Sequence, residues 1–120
     1  MKLEELKVYH ESMEIAEDIW QIVIDWDYFA KDTIGKQLVK TINSVAANLS
    51  EGFGRYHYKE NKNFCYYSRG SLYESKTWLT KARNRKLISE KKYDSLLIFI
   101  DKIAIKLNNY INSIGKKSSN

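Results

Sequence analysis

The residues best placed to do chemistry form two short clusters and one basic stripe. The first cluster lies in the stretch SVAANLSEGFGR, Ser44 to Arg55, where Asn48, Glu51 and Arg55 run beside the apolar positions Val45, Leu49 and Gly52 at helical spacing. The second is RGSLYE, Arg69 to Glu74. A carboxylate and a guanidinium beside a core strip either complete each other or hold a ligand, because an unpaired buried charge is costly. The residues favour a structural reading. Asn48, Glu51 and Arg55 meet Arg69 and Glu74 in a polar network, with Glu51 and Arg69 as partners, directly or through Arg55 and Glu74. A ligand or RNA pocket at the same place is the alternative. Gly52 and Gly54 flank Phe53, and each costs about 1 kcal/mol against alanine inside a helix, so the backbone is approached closely there or the helix bends or ends. Gly70 and Ser71 read as a site of close helix approach. No strand or glycine-rich loop precedes them, so they form no phosphate cradle.

The stripe comprises Lys59, Lys62, Lys76, Lys81, Arg83, Arg85 and Lys86, with Arg69 among them. Lys62, Arg69 and Lys76 step by seven and share a helix face. Tyr56, Tyr58, Tyr66, Tyr67 and Tyr73 interleave with the cations, a mixture that suits single-stranded or structured RNA. A solvated face, or a contact with the acidic helix of a neighbouring copy, is the alternative. Catalytic chemistry finds little support. His10 and His57 lie on different segments without a set of partners at metal-ligand spacing, and Glu14 beside His10 is a common surface pair. Cys65 reads as a small buried hydrophobe, and Glu14 with Asp18 as a solvated face. The Glu-x-x-His pattern of a di-metal bundle is absent. No enzymatic activity, metal or cofactor is expected.

The elements that must position these groups are helices. The chain has 120 residues, 43% hydrophobic and 29% charged, with no proline, which suits one domain of long helices and short loops. Leu6, Tyr9, Met13, Ala16, Trp20 and Val23 predict a first helix from about Leu3 to Asp25. Trp26 to Asp32 follows as a loop whose Tyr28 and Phe29 cover one end of the core. A second helix starts near Thr33, capped by Asp32 or Thr33, with Ile34, Leu38, Ile42, Val45, Leu49 and Gly52 as its seam. It fades between Gly54 and Tyr58. The third runs from about Lys59 to Arg85 with a less regular set, Phe64, Tyr67, Leu72, Trp78, Leu79 and Ala82. The fourth opens at Ser89 and is lined by Tyr93, Leu96, Ile100, Ile103, Leu107, Tyr110 and Ile114 until Gly115 ends it. The pattern predicts an all-α, antiparallel up-down-up-down four-helix bundle over 1–115 and a polar tail over 116–120.

The net charge of +5 is unevenly placed. Met1 to Ala30 carries 2 basic and 8 acidic residues, a net of −6, whereas Lys59 to Lys86 carries 8 and 2, a net of +6. The two segments suit attraction within a bundle or between copies, or leave a basic surface for phosphates. A lone cysteine, no signal peptide and no long apolar run predict a cytoplasmic protein without a membrane partner.

NLSEGFGR at Asn48 to Arg55, followed by RGSLYE at Arg69 to Glu74, resembles the small bacterial four-helix-bundle family described as 23S rRNA intervening-sequence proteins, some labelled ribosomal proteins. Its usual form is close to N-I-A-E-G with an Arg soon after, then a small-residue G-S and a Glu on the next helix. Leu49 and Ser50 replace the usual Ile and Ala, and the proline common before the second helix is missing. The resemblance covers nearly the whole chain. It implies a four-helix protomer that assembles into a ring, most often a pentamer. The related accessory variability determinant proteins of diversity-generating retroelements imply a basic barrel that engages a reverse transcriptase and nucleic acid. The functional expectation is therefore a non-enzymatic homo-oligomer that contacts RNA, DNA or a nucleic-acid enzyme; the alternative is a scaffold or protein-interaction module with no nucleic-acid role.

Overall fold

A computed structural model describes residues 1–116, and among these every regular element is helical. The expected polar tail therefore lies, apart from Lys116, outside the described residues. Four helices make the bundle: α1 (Lys7–Val23), α2 (28–53), α3 (Tyr58–Asn84) and α4 (Glu90–Ser113). They run up, down, up and down. Each packs on its neighbour in sequence, and α4 closes the ring against α1, so α1 and α3 sit diagonally. The result is a rod of 53 × 23 × 20 Å.

Helix α1 departs from its expected form in start and face. A 3-10 turn, Leu3–Glu5, precedes it, and extended Leu6 (φ −85°, ψ 110°) separates the two. The buried face is Val8, Ser12, Ile15, Ala16, Ile19 and Val23. Met13 and Trp20, expected in the seam, are 45% and 48% exposed. Ser12 explains the misreading. Its hydroxyl donates to the Val8 carbonyl at 2.7 Å, so a polar residue fits the core without an unsatisfied group.

The expected loop before α2 is largely helix. Asp27, not Asp32 or Thr33, is the N-cap, and its carboxylate accepts from the Ala30 amide at 3.0 Å. A first turn, Tyr28–Ala30, passes through a π-helical segment, Lys31–Gly35, into the regular helix Lys36–Phe53. Gly35 makes this wide turn possible: a Cβ there would lie 2.7 Å from Val23 Cγ1 and 3.2 Å from the Ala30 carbonyl. Trp26 closes the core instead of Tyr28 and Phe29, which are 79% and 76% exposed.

The seams of α2 and α4 follow the sequence pattern; Ile34, Leu38, Ile42, Val45 and Leu49 are buried, as are Tyr93, Leu96, Ile100, Ile103 and Leu107. In α3 the buried face is Cys65, Ser68, Leu72, Ser75, Leu79 and Ala82. Phe64 and Trp78 are only partly buried and Tyr67 is exposed. Two serines in this seam bond to backbone: Ser68 donates to the Val45 carbonyl of α2 at 2.6 Å, and Ser75 to the Ser71 carbonyl at 2.9 Å. Ser89 caps α4 by accepting from the Lys92 amide, and Gly115 takes a left-handed φ of 83° just past its end.

Helix α3 approaches the α2 backbone closely at Gly52. A Cβ there would fall 2.7 Å from Asn61 Oδ1, 2.8 Å from Phe64 Cβ and 2.9 Å from the Asn61 carbonyl. Gly70, expected to serve this purpose, is exposed and an added Cβ would meet nothing within 4 Å. The two glycines should therefore respond oppositely in chemical denaturation. Gly52→Ala should cost about 1–3 kcal/mol through overpacking, while Gly70→Ala should gain about 0.5–1 kcal/mol from reduced backbone freedom.

Candidate nucleic-acid interface

The two polar clusters do not join into one network. Asn48 donates to the Ser44 carbonyl one turn back at 2.9 Å. Glu51 lies on the exposed side of α2 and pairs with Arg55 at 2.6 Å, and Arg55 also reaches Glu60 at 3.9 Å. The Arg55 guanidinium stacks over Phe64, 4.9 Å from the ring centre. Arg69 points the other way, toward α4, where it donates to Asn108 Oδ1 at 3.0 Å and lies over Tyr66. The expected Glu51–Arg69 partnership is thus absent. The two residues differ in height and in direction: Val45 lies beside Ser68 and Gly52 beside Asn61, so Arg69 sits about two turns along the hairpin from Glu51, and one side chain faces outward while the other faces α4. Glu74 is joined to α2 by a different partner. Its Oε2 accepts from the Trp78 indole N–H and the Thr41 hydroxyl, each at 3.0 Å. These bonds, the indole's first, hold the Glu74 carboxyl below its ordinary pKa, with Lys40 adding its charge.

The basic stripe divides into tied and free cations. Arg69, Lys76 and Arg83 follow the seven-residue step and form a ladder with α4. Lys76 pairs with Asp101 at 3.1 Å and lies over Tyr73. Arg83 approaches Glu90 at 3.8 Å and stacks 4.4 Å from the Tyr93 ring centre, while Thr80 and Tyr93 share a hydrogen bond. Lys62 is partly buried on the same face. Lys59 is exposed near the start of α3, whereas Lys81, Arg85 and Lys86 are exposed at its end. Among the described residues no carboxylate lies within ion-pair distance of these four.

Lys86 is the one non-glycine residue with a left-handed backbone among those described, at φ 61°. It ends α3 in a Schellman arrangement: its amide donates to the Arg83 carbonyl and the Leu87 amide to the Ala82 carbonyl, both at 2.9 Å. Glycine is the usual occupant, because an L side chain costs about 1–2 kcal/mol in this conformation. The sequence reading included Lys86 for its charge; nothing in the spacing of the cations marked this strain.

Cys65 is fully buried, and burial pushes its thiol up to about 11, far from a reactive thiolate. Burial also raises the Tyr110 phenol, against the opposing hydrogen bond from Asn61. Among the described residues, no three His, Cys, Asp or Glu side chains gather as metal ligands, and no helix is long and apolar enough to cross a membrane.

Comparison with known proteins gives a family and a fold. The family model described as "23S rRNA-intervening sequence protein" matches residues 4–109. A crystal structure of a protein with unknown function from the S23 ribosomal protein family of Bacteroides thetaiotaomicron superposes with a TM-score of 0.79 at 19% identity, covering 88% of this chain and 96% of that one. No curated protein matches the sequence.

The geometry assigns Glu51 little structural weight. An exposed i,i+4 pair contributes about 0.3–0.5 kcal/mol, so Glu51→Ala should shift the denaturation free energy by no more than about 0.5 kcal/mol. A loss several times larger would show that Glu51 has a buried partner after all.

Proposed function

We propose, from the premise that this chain belongs to the 23S rRNA-intervening sequence protein family, that it is a non-enzymatic accessory protein contacting RNA or DNA through the basic end of α3. The observation that carries this reading is Lys86. The chain keeps a cation where glycine would relieve backbone strain, and strain retained at a surface position points to a use for the side chain. Exposed Lys81 and Arg85 supply further charge at the same end, and a phosphate backbone is the partner such charge attracts. Copies of the protein associate, in a ring of five by the family resemblance. The exposed side chains of Met13 and Trp20 on α1, of Ile24 just past its end, and of Ile98 and Ile105 on α4 support association, since apolar surface of this kind marks contact sites. A reverse transcriptase or another protein is the further partner the resemblance implies. The same apolar side chains favour the second reading, a scaffold without a nucleic-acid role.

Lys86→Gly separates the two readings by moving two measurements in opposite directions. It should raise stability by about 1 kcal/mol and weaken single-stranded RNA binding. For three phosphate contacts the logarithm of affinity should fall with the logarithm of salt concentration at a slope of about −2, and the variant should flatten it by about 0.7. Binding that ignores both salt and Lys86 would leave the scaffold. Self-association has its own check: sedimentation at tens of micromolar should give a species several times the 14.2 kDa protomer, and a stable monomer would remove that part of the proposal.

A further inference from the structure

One groove lies on the side of the α3 end opposite α4, and no motif in the sequence marks it. It runs between the first turns of α2 and the last turns of α3 and offers about 350 Å³, open to solvent. Trp78, Lys81 and Arg85 form the α3 wall, Asp32, Thr33 and Gln37 the α2 wall, and buried Ile34 lies between them. This volume is at the small end of the roughly 300–1,000 Å³ typical of ligand sites. It suits one compact aromatic group with a charged substituent.

We propose that this groove holds one unpaired nucleotide of a single-stranded nucleic acid, its base against the Trp78 indole and its phosphate on Lys81 and Arg85. The inference rests on the nucleic-acid reading above and assigns it a site. Three features carry it. The Trp78 ring is fixed, because its N–H is bonded to Glu74 and Glu74 accepts from Thr41; a stacking wall that does not have to be ordered on binding retains more affinity. Lys81 and Arg85 are one turn apart, exposed, and without an ion-pair partner among the described residues. The opposite wall is built from the π-helical segment Lys31–Gly35, which places Asp32 and Thr33 at the groove with hydrogen-bonding groups for a base edge. Such π-turns concentrate at functional sites.

The test is fluorescence anisotropy of the full chain with fluorescein-labelled oligonucleotides of about ten bases, one RNA and one DNA, a length within the range of single-strand binding sites. Trp78→Leu should weaken binding about tenfold with an unchanged salt slope, since base–aromatic stacking carries no charge. Trp78→Phe, which keeps a ring, should remain within about threefold of the unaltered protein. Lys81→Ala with Arg85→Ala should flatten the salt slope by about 1.4. Thermal melting identifies any variant whose loss is one of folding, and the Phe variant then decides. Wild-type binding that Trp78→Leu leaves intact overturns the groove while the basic-surface reading stands. No binding by the wild type overturns both. Competition by poly-glutamate as effective as by unlabelled RNA assigns the groove to acidic polypeptides and overturns the nucleotide.

Discussion

The near-contact of the α2 backbone with α3 at Gly52 is the constraint on which the rest of the bundle depends. With no side chain at Gly52, Asn61 and Phe64 enter the space a Cβ would fill. Sixteen residues farther along the chain, Ser68 bonds directly to the Val45 carbonyl. These contacts set both the spacing and the rotation of α3 on α2. Asn61 then faces Tyr110 of α4 and Cys65, so the same close approach fixes where α4 can lie. The opposite flank of α3 is left to Arg69, Lys76, Thr80 and Arg83, each matched by a group on α4. Their charges are consumed in orienting a helix. The cations beyond this ladder at the end of α3, Lys81, Arg85 and Lys86, keep their fields directed to solvent, as does Lys59 at its start.

Those ladder contacts contribute more to register than to stability. Lys76 with Asp101 and Arg83 with Glu90 are partly exposed, as is the separate pair of Lys106 with Glu11 between α4 and α1, and such pairs typically contribute about 0–1 kcal/mol. The apolar seams supply most of the cohesion. The ladder contacts add directional links between α3 and α4 on top of that cohesion. Cation and ring then stack in each rung, which also keeps Tyr66, Tyr73 and Tyr93 in place.

The fold class was legible because α2 and α4 carry uninterrupted apolar steps, and a chain without proline has few other ways to arrange them. The faces of α1 and α3 were harder to read for one shared reason. Ser12, Ser68 and Ser75 are fully buried, yet each satisfies its hydroxyl on a carbonyl. A small polar residue of this kind looks like surface in a sequence and behaves as core in a bundle. Large apolar residues on the neighbouring strip, Met13 and Trp20 above all, then drew the seam to the wrong side. The Glu51–Arg69 pairing failed differently. Residue counting from a turn misjudged the height, since Val45 lies beside Ser68 and Gly52 beside Asn61, and it carries no azimuth, whereas a side chain reaches only what lies on its own side of the helix. The groove beside Trp78 was not legible at all, because half of it is built by a helix that starts five residues earlier than its capping signals at Asp32 and Thr33 indicated.

That early start makes chain length itself an inherited trait of this end of the molecule. A π-turn closes its hydrogen bonds over one more residue than an α-turn, so the segment Lys31–Gly35 holds the equivalent of a single-residue insertion within α2. Relatives shorter by one residue here would run as plain α-helix, and everything before the deletion would rotate by about 100°. Tyr28 and Phe29 would then face a different quarter of the bundle with no change in their identity. Two family members can thus share every side chain in this region but the one deleted and still present different surfaces, and a gap of one position in an alignment across 31–35 separates them more sharply than several substitutions.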